Sequence, residues 1–389
     1  MKNNKIKILF VHSQLVQHGS ERYLYELCKA LDKDRFEIHV LTRFFLIKDN
    51  FYYSKLLDIG CQIHTKLLSL RHLRYPFKFF FNRYKFVRVI LRFLHTLLIK
   101  IIYFNFFQKF DVIAVIGIET YCDALAPLLD NHKNVIIHHV NHQFQFERNY
   151  FDECLQNKII ISDDQQRNEI LNSKMSDAIC YFLPLPMAFD KYTNIGLTKV
   201  FNRNCTIVAV FSRLYKDRPN EPLFRCFSEF RKFNPNAAMY FYGDGDSSQY
   251  YDLLNDLGIL DFVIFRGHSR SISDSIINDN IDILWLVSMG KSISYSSIEI
   301  SGFGMPMVFW NLNDIDSLKI LADTNGAINS FNNLKEFIDF NLKISGDDKE
   351  LRMIGQNIRN YVVNYYDINN NIKKLENYYL TYSKLKYDN

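Results

Sequence analysis

The chain contains 389 residues, of which 48% are hydrophobic and 23% are charged, a composition typical of a folded globular protein. Because a single α/β core stops growing at roughly 250 to 300 residues, this length predicts two domains. The formal net charge is +5, yet residues 66–110 carry ten Lys or Arg and no acidic residue, so the basicity is local and argues against a general nucleic-acid-binding protein.

The seven cysteines lie far apart and form no C-x-x-C motif, which argues against a zinc site and against a disulfide framework. The first apolar run, residues 8–11, is too short for a signal sequence. Arg92, His95 and Lys100 interrupt the most hydrophobic stretch, which leaves no window of roughly 18 uncharged apolar residues. We therefore expect a reduced, cytoplasmic protein that does not cross a membrane.

The first half of the chain has the alternating pattern of a parallel α/β sheet. Residues 5–12 (KIKILFVH) predict a strand, and after a polar loop residues 20–31 predict a helix. A second strand follows at 36–42 (FEIHVLT), which completes a βαβ unit. Further buried strands are predicted at 111–116, 134–139 and 158–162.

A linker separates this series from a second one. The LPLP sequence at 183–186 can continue neither a helix nor a central strand, and the polar stretch 191–204 has no periodicity. The elements predicted after it are strands at 206–211, 238–242, 262–265, 281–287 and 307–310 and a largely helical tail at 351–385. We predict an N-terminal domain of residues 1–185, onto which a C-terminal helix at about 365–389 packs back, and a C-terminal domain of residues 186–364.

The loops that follow the predicted strands supply the candidate site residues, because open α/β sheets bind ligands outside the carboxyl ends of their strands. Gly19 opens the first helix, where a glycine lets backbone N–H groups approach an anion. Arg213 follows the strand at 206–211, with Lys216 and Arg218 close behind. The planar guanidinium group of an arginine can donate two parallel hydrogen bonds, which suits a diphosphate. Taken alone, Gly19 also fits a tight turn, and the three cations also fit a solvated loop.

The segment 288–308 (SMGKSISYSSIEISGFGMPMV) follows another predicted strand and contains one acidic residue, Glu299. We expect Glu299 in the first turns of a short helix that Ser296 or Ser297 begins and that Gly304-x-Pro306 ends. A carboxylate so placed can accept hydrogen bonds from two hydroxyls of a ribose. A lone Glu on a helix more often faces solvent, so the surrounding pattern decides between the two interpretations.

Four segments in this order resemble retaining glycosyltransferases of family 4, which have the GT-B fold: ILFVHSQLVQHGSERYLYELCKAL, VFSRLYKDR, FYGDGD and SSIEISGFGMPMV. The last is the most specific, since Glu299, Gly304 and Pro306 are in register with the family's E-A-x-x-x-G-x-P motif. The resemblance covers nearly the whole chain. It implies an α/β fold of two Rossmann-like, doubly wound parallel-sheet domains that face a cleft.

The resemblance also implies roles for individual residues. Gly19 would approach the donor phosphate or the acceptor. Arg213 and Arg218 would neutralise the diphosphate, and Glu299 would bind the ribose. The remaining donor-binding candidates are Lys216, Gly243, Lys291, Ser292, Ile293 and Ser294. Such enzymes need no metal or other cofactor, since the cations stabilise the charge that develops on the leaving diphosphate.

This sequence departs from the family pattern shortly before Glu299. Lys291 stands where the family has a second glutamate that touches the donor sugar, and Ser292, Ile293 and Ser294 replace a glycine-rich turn. Lys291 implies either that the sugar is bound differently, with this lysine on a phosphate or an acidic sugar, or that activity is lost. The alternative function is therefore a catalytically inactive GT-B subunit that binds or stabilises a partner.

The family also places a histidine after a central strand of the first domain, near the donor sugar. Here the sequence NVIIHHVNHQF at 134–144 offers His138, His139 and His142. His142, in the expected loop, is the first candidate for this catalytic position and His139 is the second. Either one also fits a histidine with a purely structural role.

Residues 75–107 are rich in aromatic and basic side chains. Lys85, Arg88 and Arg92 recur at spacings that place them on one face of a helix. Such a helix suits the surface of an anionic membrane, and it predicts a lipid-linked or membrane-held acceptor. The alternative is a helix packed within the first domain, with its cations reaching out to water.

Together these features predict a retaining, metal-independent hexosyltransferase. It would move a hexose or N-acetylhexosamine from a nucleotide diphosphate sugar to a glycan or lipid-linked acceptor in cell-surface polysaccharide or lipopolysaccharide synthesis. The expected partners are the nucleotide sugar, the acceptor and an anionic membrane surface, with no nucleic acid. The expected location is the cytoplasm, with peripheral attachment to the inner face of the cell membrane.

Overall fold

The computed structural model describes residues 5–43, 51–67, 93–94, 96–98, 100–103, 105–121, 125–129, 134–140, 158–162, 179–201, 205–215, 219–288, 294–312 and 328–384. The chain forms two compact units, one of Met1–Ala188 with Ile368–Asn389 and one of Phe189–Asp367. It passes into the second unit after Ala188 and returns after Asp367, in both cases a few residues beyond the boundaries predicted from the sequence.

The first unit is built on a parallel sheet with seven strands among the described residues. The strands are β1 (Ile6–Val11), β2 (Phe36–Arg43), β3 (Gln62–Leu67), β4 (Val112–Ile116), β5 (Val135–His139), β6 (Ile159–Ser162) and β7 (Ile179–Phe182). Their order is β3-β2-β1-β4-β5-β6-β7, so the chain winds outward from β1 and then outward from β4 in the other direction. The neighbours β1 and β4 therefore mark the point where the strand order reverses, which is where doubly wound sheets bind ligands.

Helices cover both faces of this sheet. They include α1 (Gly19–Ala30), α2 (Phe51–Asp58), α3 (Ile118–Thr120), α4 (Ala126–Leu129), a 3₁₀ turn (Phe107–Lys109) and helical turns among residues 93–102. Leu9 and Val11 on β1 pack on one side with Phe107 and Phe110. Phe10 points to the other side, because side chains alternate along a strand, and it contacts the ring of His138.

The second unit contains a parallel sheet with six described strands. The strands are β8 (Ile207–Phe211), β9 (Ala238–Tyr242), β10 (Val263–Gly267), β11 (Ile283–Ser288), β12 (Met307–Asn311) and β13 (Asn329–Phe331). Their order, β10-β9-β8-β11-β12-β13, is the Rossmann order. The reversal lies between β8 and β11, so ligands are expected outside the carboxyl ends of these two strands.

The second core is dominated by aromatic side chains. Trp285 of β11 is fully buried among Phe227, Phe230 and Phe337, and its indole N–H donates a 2.7 Å hydrogen bond to the Oδ1 atom of buried Asn341. This bond satisfies the one polar atom of the indole inside the core. The helices among the described residues of this unit are α5 (Ile195–Thr198), α6 (Glu221–Phe233), α7 (Tyr251–Asp256), α8 (Ile272–Asn278), α9 (Tyr295–Gly302), α10 (Leu334–Ser345) and α11 (Asp348–Tyr366), with 3₁₀ turns at Ser247–Tyr250 and Leu260–Phe262.

The last helix, α12 (Ile368–Lys384), belongs to the first unit. Glu376 on this helix accepts hydrogen bonds from the Asp32 backbone N–H at 3.0 Å and from the Arg35 guanidinium at 2.9 Å. Tyr379, one turn further on, is fully buried against the ring of Phe10. The C-terminal helix is therefore held to the first unit by both polar and apolar contacts.

The predicted doubly wound α/β class is confirmed for each sheet, and the central strands lie where the sequence predicts them. Helix α1 begins at Gly19, one residue earlier than expected, a difference within the usual uncertainty of helix ends. The outer strands β3, β7 and β13 were not predicted. None of the described helices combines the length and the apolar character that a membrane span requires.

Candidate functional site

The reversal point of the second sheet places two predicted segments at one edge. Strands β8 and β11 are hydrogen-bonded neighbours, with Ile283 paired to Val208 and Leu284 to Ala209. The loop with Arg213 leaves the carboxyl end of β8, and the segment that leads to α9 leaves the carboxyl end of β11. The fold therefore brings the proposed diphosphate-binding and ribose-binding segments to the same edge.

The loop after β8 is fixed by the loop after β9. The Ser212 backbone N–H donates to the Tyr242 carbonyl at 2.9 Å, and the Leu214 N–H donates to the Asp244 carbonyl at 2.7 Å. A Cβ atom on Gly243 would collide with the Ser212 carbonyl oxygen. Gly245 has a φ of +125°, which favours glycine. The glycines of the FYGDGD segment thus allow the close approach that fixes the backbone on either side of Arg213.

Arg213 combines a fixed backbone with an exposed side chain. Its carbonyl accepts a 3.0 Å hydrogen bond from the Nδ2 atom of Asn220, which is buried at the N-cap of α6 and makes no side-chain cap bond. An Asn side chain at an N-cap usually stabilises its own helix by about 1 kcal/mol, and here it stabilises the Arg213 loop instead. The guanidinium carbon lies 5.5 Å from the ring centre of Tyr215. Lys216 and Arg218 lie outside the described residues.

Helix α9 carries Glu299 and begins at Tyr295, with Ser294 as its N-cap. The Ser294 hydroxyl accepts a 3.2 Å hydrogen bond from the Ser297 backbone N–H. The expectation that Ser296 or Ser297 begins this helix was therefore wrong, because the earlier serine caps it. Ser294, a predicted donor-binding residue, has this capping role, while Lys291, Ser292 and Ile293 lie outside the described residues.

The Glu299 side chain is partly exposed on α9. The hydroxyl of Tyr192 lies 3.5 Å from its Oε1 atom, at the outer limit of a hydrogen bond. The ring of Tyr192 packs against Phe303 and Phe189, with ring centres 4.8 and 5.4 Å apart. Aromatic packing thus holds the hydroxyl beside a carboxylate that still reaches solvent.

Three glycines set the position of α9. Gly304 has a φ of +72°, and its N–H donates to the Ser301 carbonyl at 2.9 Å, which ends the helix. A Cβ atom on either Gly196 or Gly355 would collide with the Gly304 carbonyl. Helices α5 and α11 therefore pack closely on the end of α9. Gly304 was predicted from its motif, whereas Gly196 and Gly355 were not predicted, although a glycine inside a helical pattern, as Gly355 is, can signal close packing.

An aromatic and charged cluster lies beside this edge. The rings of Phe211 and Tyr242 stack with their centres 4.5 Å apart. The Tyr242 hydroxyl donates to Asp279, and the Arg266 guanidinium donates to the same carboxylate at 2.6 Å. Burial and then the Asp279 carboxylate raise the pKa of Tyr242. This cluster was not predicted. Within the described part of the chain, no group of three His, Cys, Asp or Glu side chains is placed to hold a metal ion.

The reversal point of the first sheet carries the loop from His12 to Gly19. Helix α1 starts at Gly19, and its N-cap residue His18 makes no side-chain cap bond. His18 and Gly19 are exposed, whereas His12 and Glu21 are buried. The Nε2 atom of His12 lies 3.5 Å from the Oε1 atom of Glu21. The predicted site residue Gly19 therefore lies at the exposed C-terminal end of this loop, between the buried residues His12 and Glu21.

The histidines after the central strand of the first unit have different positions. His138 is fully buried, with the Tyr23 hydroxyl 2.8 Å from Nδ1 and the Tyr379 hydroxyl 3.0 Å from Nε2. Burial lowers the pKa of His138 to about 3. His139 is also buried, at the end of β5, and His142 lies outside the described residues. His138 is therefore a neutral core histidine that joins α1, β5 and α12.

The predicted membrane-facing cations Lys85, Arg88 and Arg92 lie outside the described residues. Beyond them, six apolar side chains recur at helical spacing on the surface: Phe93, Leu94, Leu97, Leu98, Ile101 and Ile102. Phe93 is 68% exposed and Ile101 is 66% exposed. We call these six residues the apolar row. Tyr103 and Phe106, which follow in sequence, belong to the hydrophobic core. The apolar side chains of this segment are therefore exposed up to Ile102 and buried at Tyr103 and Phe106.

Two Rossmann-like parallel sheets of this kind define the GT-B class of fold. Sucrose-phosphate synthase from Thermosynechococcus elongatus matches with a TM-score of 0.70 and 13% identity, over 97% of this chain and 99% of that chain. HepE from Anabaena, solved in complex with UDP, matches with a TM-score of 0.68 and 13% identity, over 97% and 100% of the two chains. At such identities the likeness shows the fold alone, and the predicted GT-B fold is confirmed.

One protein from Escherichia coli matches part of this sequence at low identity. It is UDP-Gal:alpha-D-GlcNAc-diphosphoundecaprenol alpha-1,3-galactosyltransferase, which is 23% identical over 186 residues. The match spans 46% of this chain and 46% of the relative, less than half of either. No family model matches the chain, so membership of family 4 stays a prediction.

Proposed function

We propose that this protein is a glycosyltransferase that moves a hexose or N-acetylhexosamine from a nucleotide diphosphate sugar to a glycan or lipid-linked acceptor. The observation that carries the proposal is that the fixed Arg213 loop and the segment leading to the helix of Glu299 leave the carboxyl ends of two neighbouring strands, β8 and β11. A cation and a carboxylate that follow neighbouring strands suit the two ends of a nucleotide diphosphate, the phosphates and the ribose.

The proposed reaction retains the configuration at the anomeric carbon. The bond from this carbon to the diphosphate oxygen breaks, and a bond to the acceptor hydroxyl oxygen forms on the same face. The acceptor proton passes to the leaving diphosphate, so no protein nucleophile takes part. Arg213, with Lys216 and Arg218, would stabilise the negative charge that develops on the leaving diphosphate. Arg and Lys side chains stabilise the developing charge in phosphoryl transfer in the same way. Glu299 would accept hydrogen bonds from the ribose hydroxyls.

The identity of donor and acceptor is supported by the comparisons. HepE has been solved with UDP, with UDP and glucose, and with UDP-glucose. The Escherichia coli relative uses UDP-galactose and a diphosphoundecaprenol-linked acceptor, according to its name. We therefore propose a UDP-sugar donor and a lipid-diphosphate-linked acceptor, in the synthesis of a cell-surface polysaccharide or lipopolysaccharide.

A lipid-linked acceptor requires contact with a membrane surface, and the apolar row supports such a contact. Its six side chains are exposed on helical turns that follow a stretch rich in Lys and Arg. Apolar side chains next to cations are the pattern of a segment that lies on an anionic membrane. We propose that the protein is cytoplasmic and attaches peripherally to the inner face of the membrane through this segment.

The direct experiment is transfer of labelled sugar from UDP-galactose and UDP-glucose to an undecaprenyl-diphosphate-linked acceptor, with EDTA present. We expect a labelled lipid product whose yield does not depend on added metal. Lack of product with every donor, including GDP-, ADP- and dTDP-sugars, would contradict the proposal.

The alternative is a catalytically inactive GT-B subunit, favoured by Lys291 in place of the family glutamate. The variant Lys291→Glu separates the two functions. If it creates transfer in an otherwise inert protein, the wild type is the inactive subunit. If the wild type transfers sugar and the variant is impaired, Lys291 belongs to the working donor site.

A further inference from the structure

The loop between β1 and α1 is held at its start and in its middle and is exposed at its C-terminal end. Leu15 in the middle of the loop is buried, and its carbonyl accepts a 2.9 Å hydrogen bond from the Tyr52 backbone N–H at the start of α2. At the start of the loop, the His12 backbone N–H donates to the Leu41 carbonyl at 3.0 Å. His18 and Gly19, by contrast, are exposed. The conformation at Gly19 therefore depends on what holds the first turn of α1.

Glu21 in that first turn is fully buried. Its Oε2 atom accepts a 2.8 Å hydrogen bond from the Ser20 hydroxyl, and its Oε1 atom lies 3.5 Å from the His12 ring nitrogen Nε2. Burial acts to raise the pKa of Glu21, but the contacts with His12 and Ser20 outweigh it, so the pKa lies below its ordinary value. The carboxylate is therefore ionised at neutral pH and bridges α1 to the carboxyl end of β1.

Neither helix propensity nor the helix dipole explains why Glu21 is buried and contacts His12. An acidic residue in the first turn of a helix normally interacts with the helix N-terminus from the solvent side. A buried carboxylate has a desolvation cost that an apolar residue would avoid. Glu26, one turn later on the same helix, is also buried, and it pairs with Arg22 at 3.7 Å on its own helix. Glu21, in contrast to this pairing within one helix, contacts His12 at the end of β1, at the reversal point of the sheet.

We propose that Glu21 is a positioning residue: through His12 and Ser20 it fixes the first turn of α1 and presents the Gly19 backbone to the substrate. The inference rests on the proposed function, because it assigns Glu21 to the same reaction. It concerns the first unit, whereas the nucleotide is proposed to bind the second.

Hydrogen exchange tests the positioning role without any activity. The variant Glu21→Gln keeps the size of the side chain but removes the charge, and Glu26→Gln is the matched control on the same helix. We expect amides of residues 13–20 to exchange about tenfold faster in E21Q, while E26Q leaves this loop unchanged. Loop exchange in E21Q equal to that of the wild type would overturn the proposal.

Kinetics then separates positioning from general destabilisation. We expect E21Q to lower kcat/KM for the lipid-linked acceptor by about tenfold or more while the Kd for UDP stays unchanged. His12→Gln should have a similar effect, and the double variant should be no worse than either one, since the two side chains act as a pair. Additive losses in the double variant, or an equal loss in E26Q, would overturn the assignment. If the wild type neither binds UDP nor transfers sugar, the proposed function fails, while the exchange measurement still decides whether Glu21 fixes the loop.

Discussion

Gly243 lies against the backbone of Ser212, so closely that a Cβ atom at position 243 would collide with the Ser212 carbonyl oxygen. The contact joins the loop after β9 to the loop that presents Arg213. The glycine is thus required by a contact between two neighbouring loops at the carboxyl edge of the sheet, and its own φ is not the reason.

Gly243→Ala should therefore disturb both stability and nucleotide binding. Forcing a methyl group into a packed site costs about 1 to 3 kcal/mol, and the backbone next to Arg213 must shift to make room. We expect a lower free energy of unfolding and a weaker Kd for UDP. The control is Gly346→Ala, since a Cβ there meets no atom within 4 Å. Normal UDP binding in G243A would contradict this account of the loop.

His138 predicts a pH dependence of stability. Its pKa is about 3 in the folded protein, whereas an unfolded histidine titrates near 6.5. Between these values the unfolded chain binds a proton that the folded chain does not. The free energy of unfolding should therefore fall as the pH drops from about 6.5 toward about 3, by up to about 1.4 kcal/mol per pH unit.

Urea unfolding of the wild type and His138→Gln at several pH values checks this prediction. The variant should be less stable at neutral pH, because the contacts of the Tyr23 and Tyr379 hydroxyls with the buried imidazole are lost, but its stability should vary less between pH 6 and pH 4, roughly the middle of the titration range. His268→Gln, at an exposed histidine of the second unit, is the control and should keep the wild-type slope. Equal slopes in wild type and H138Q would show that His138 does not titrate in this way.

The apolar row predicts membrane binding that depends on individual side chains. Burial of one large apolar side chain contributes about 1.5 to 3 kcal/mol, so the double variant F93S/I101S should bind vesicles of phosphatidylglycerol at least about tenfold more weakly. Val200→Ser, at a residue of the second unit that is 78% exposed, is the control and should bind like the wild type. Sedimentation at low salt measures both. If the wild type fails to sediment with anionic vesicles, the membrane proposal is wrong.

The sequence predicts the interior of each sheet better than its edges. Central strands such as β4 (VIAVI) and β8 (IVAVF) are buried on both faces and form continuous apolar runs. The missed strands β3, β7 and β13 lie at the outer positions of the two sheets. Strand β3 (QIHTKL) is half exposed and polar, and β13 has three residues. An outer strand needs little apolar sequence because water covers part of it, so its pattern does not distinguish it from a loop.

In the candidate site, residues that belong to a short sequence motif were predicted, and residues whose role depends on a contact with a distant part of the chain were missed. Glu299 and Gly304 were identified because they belong to one short motif. Gly196 and Gly355 were missed because their requirement arises from contact with the Gly304 carbonyl, far away in sequence. Glu21 was missed because an acidic residue in the first turn of a helix already has an ordinary explanation. Only the fold shows that its side chain is buried.

The central claim is that the edge of β8 and β11 binds a nucleotide diphosphate through Arg213 and Glu299. Isothermal titration of UDP against the wild type, Arg213→Ala and Glu299→Gln tests it most directly, with exposed Arg225→Ala and Glu336→Gln as controls in the same unit. A hydrogen bond to a charged group contributes about 1.5 to 3 kcal/mol, so each site variant should bind about ten- to a hundredfold more weakly, while the controls bind like the wild type. A wild type that binds no nucleotide, or site variants that bind UDP as tightly as the wild type, would contradict the claim.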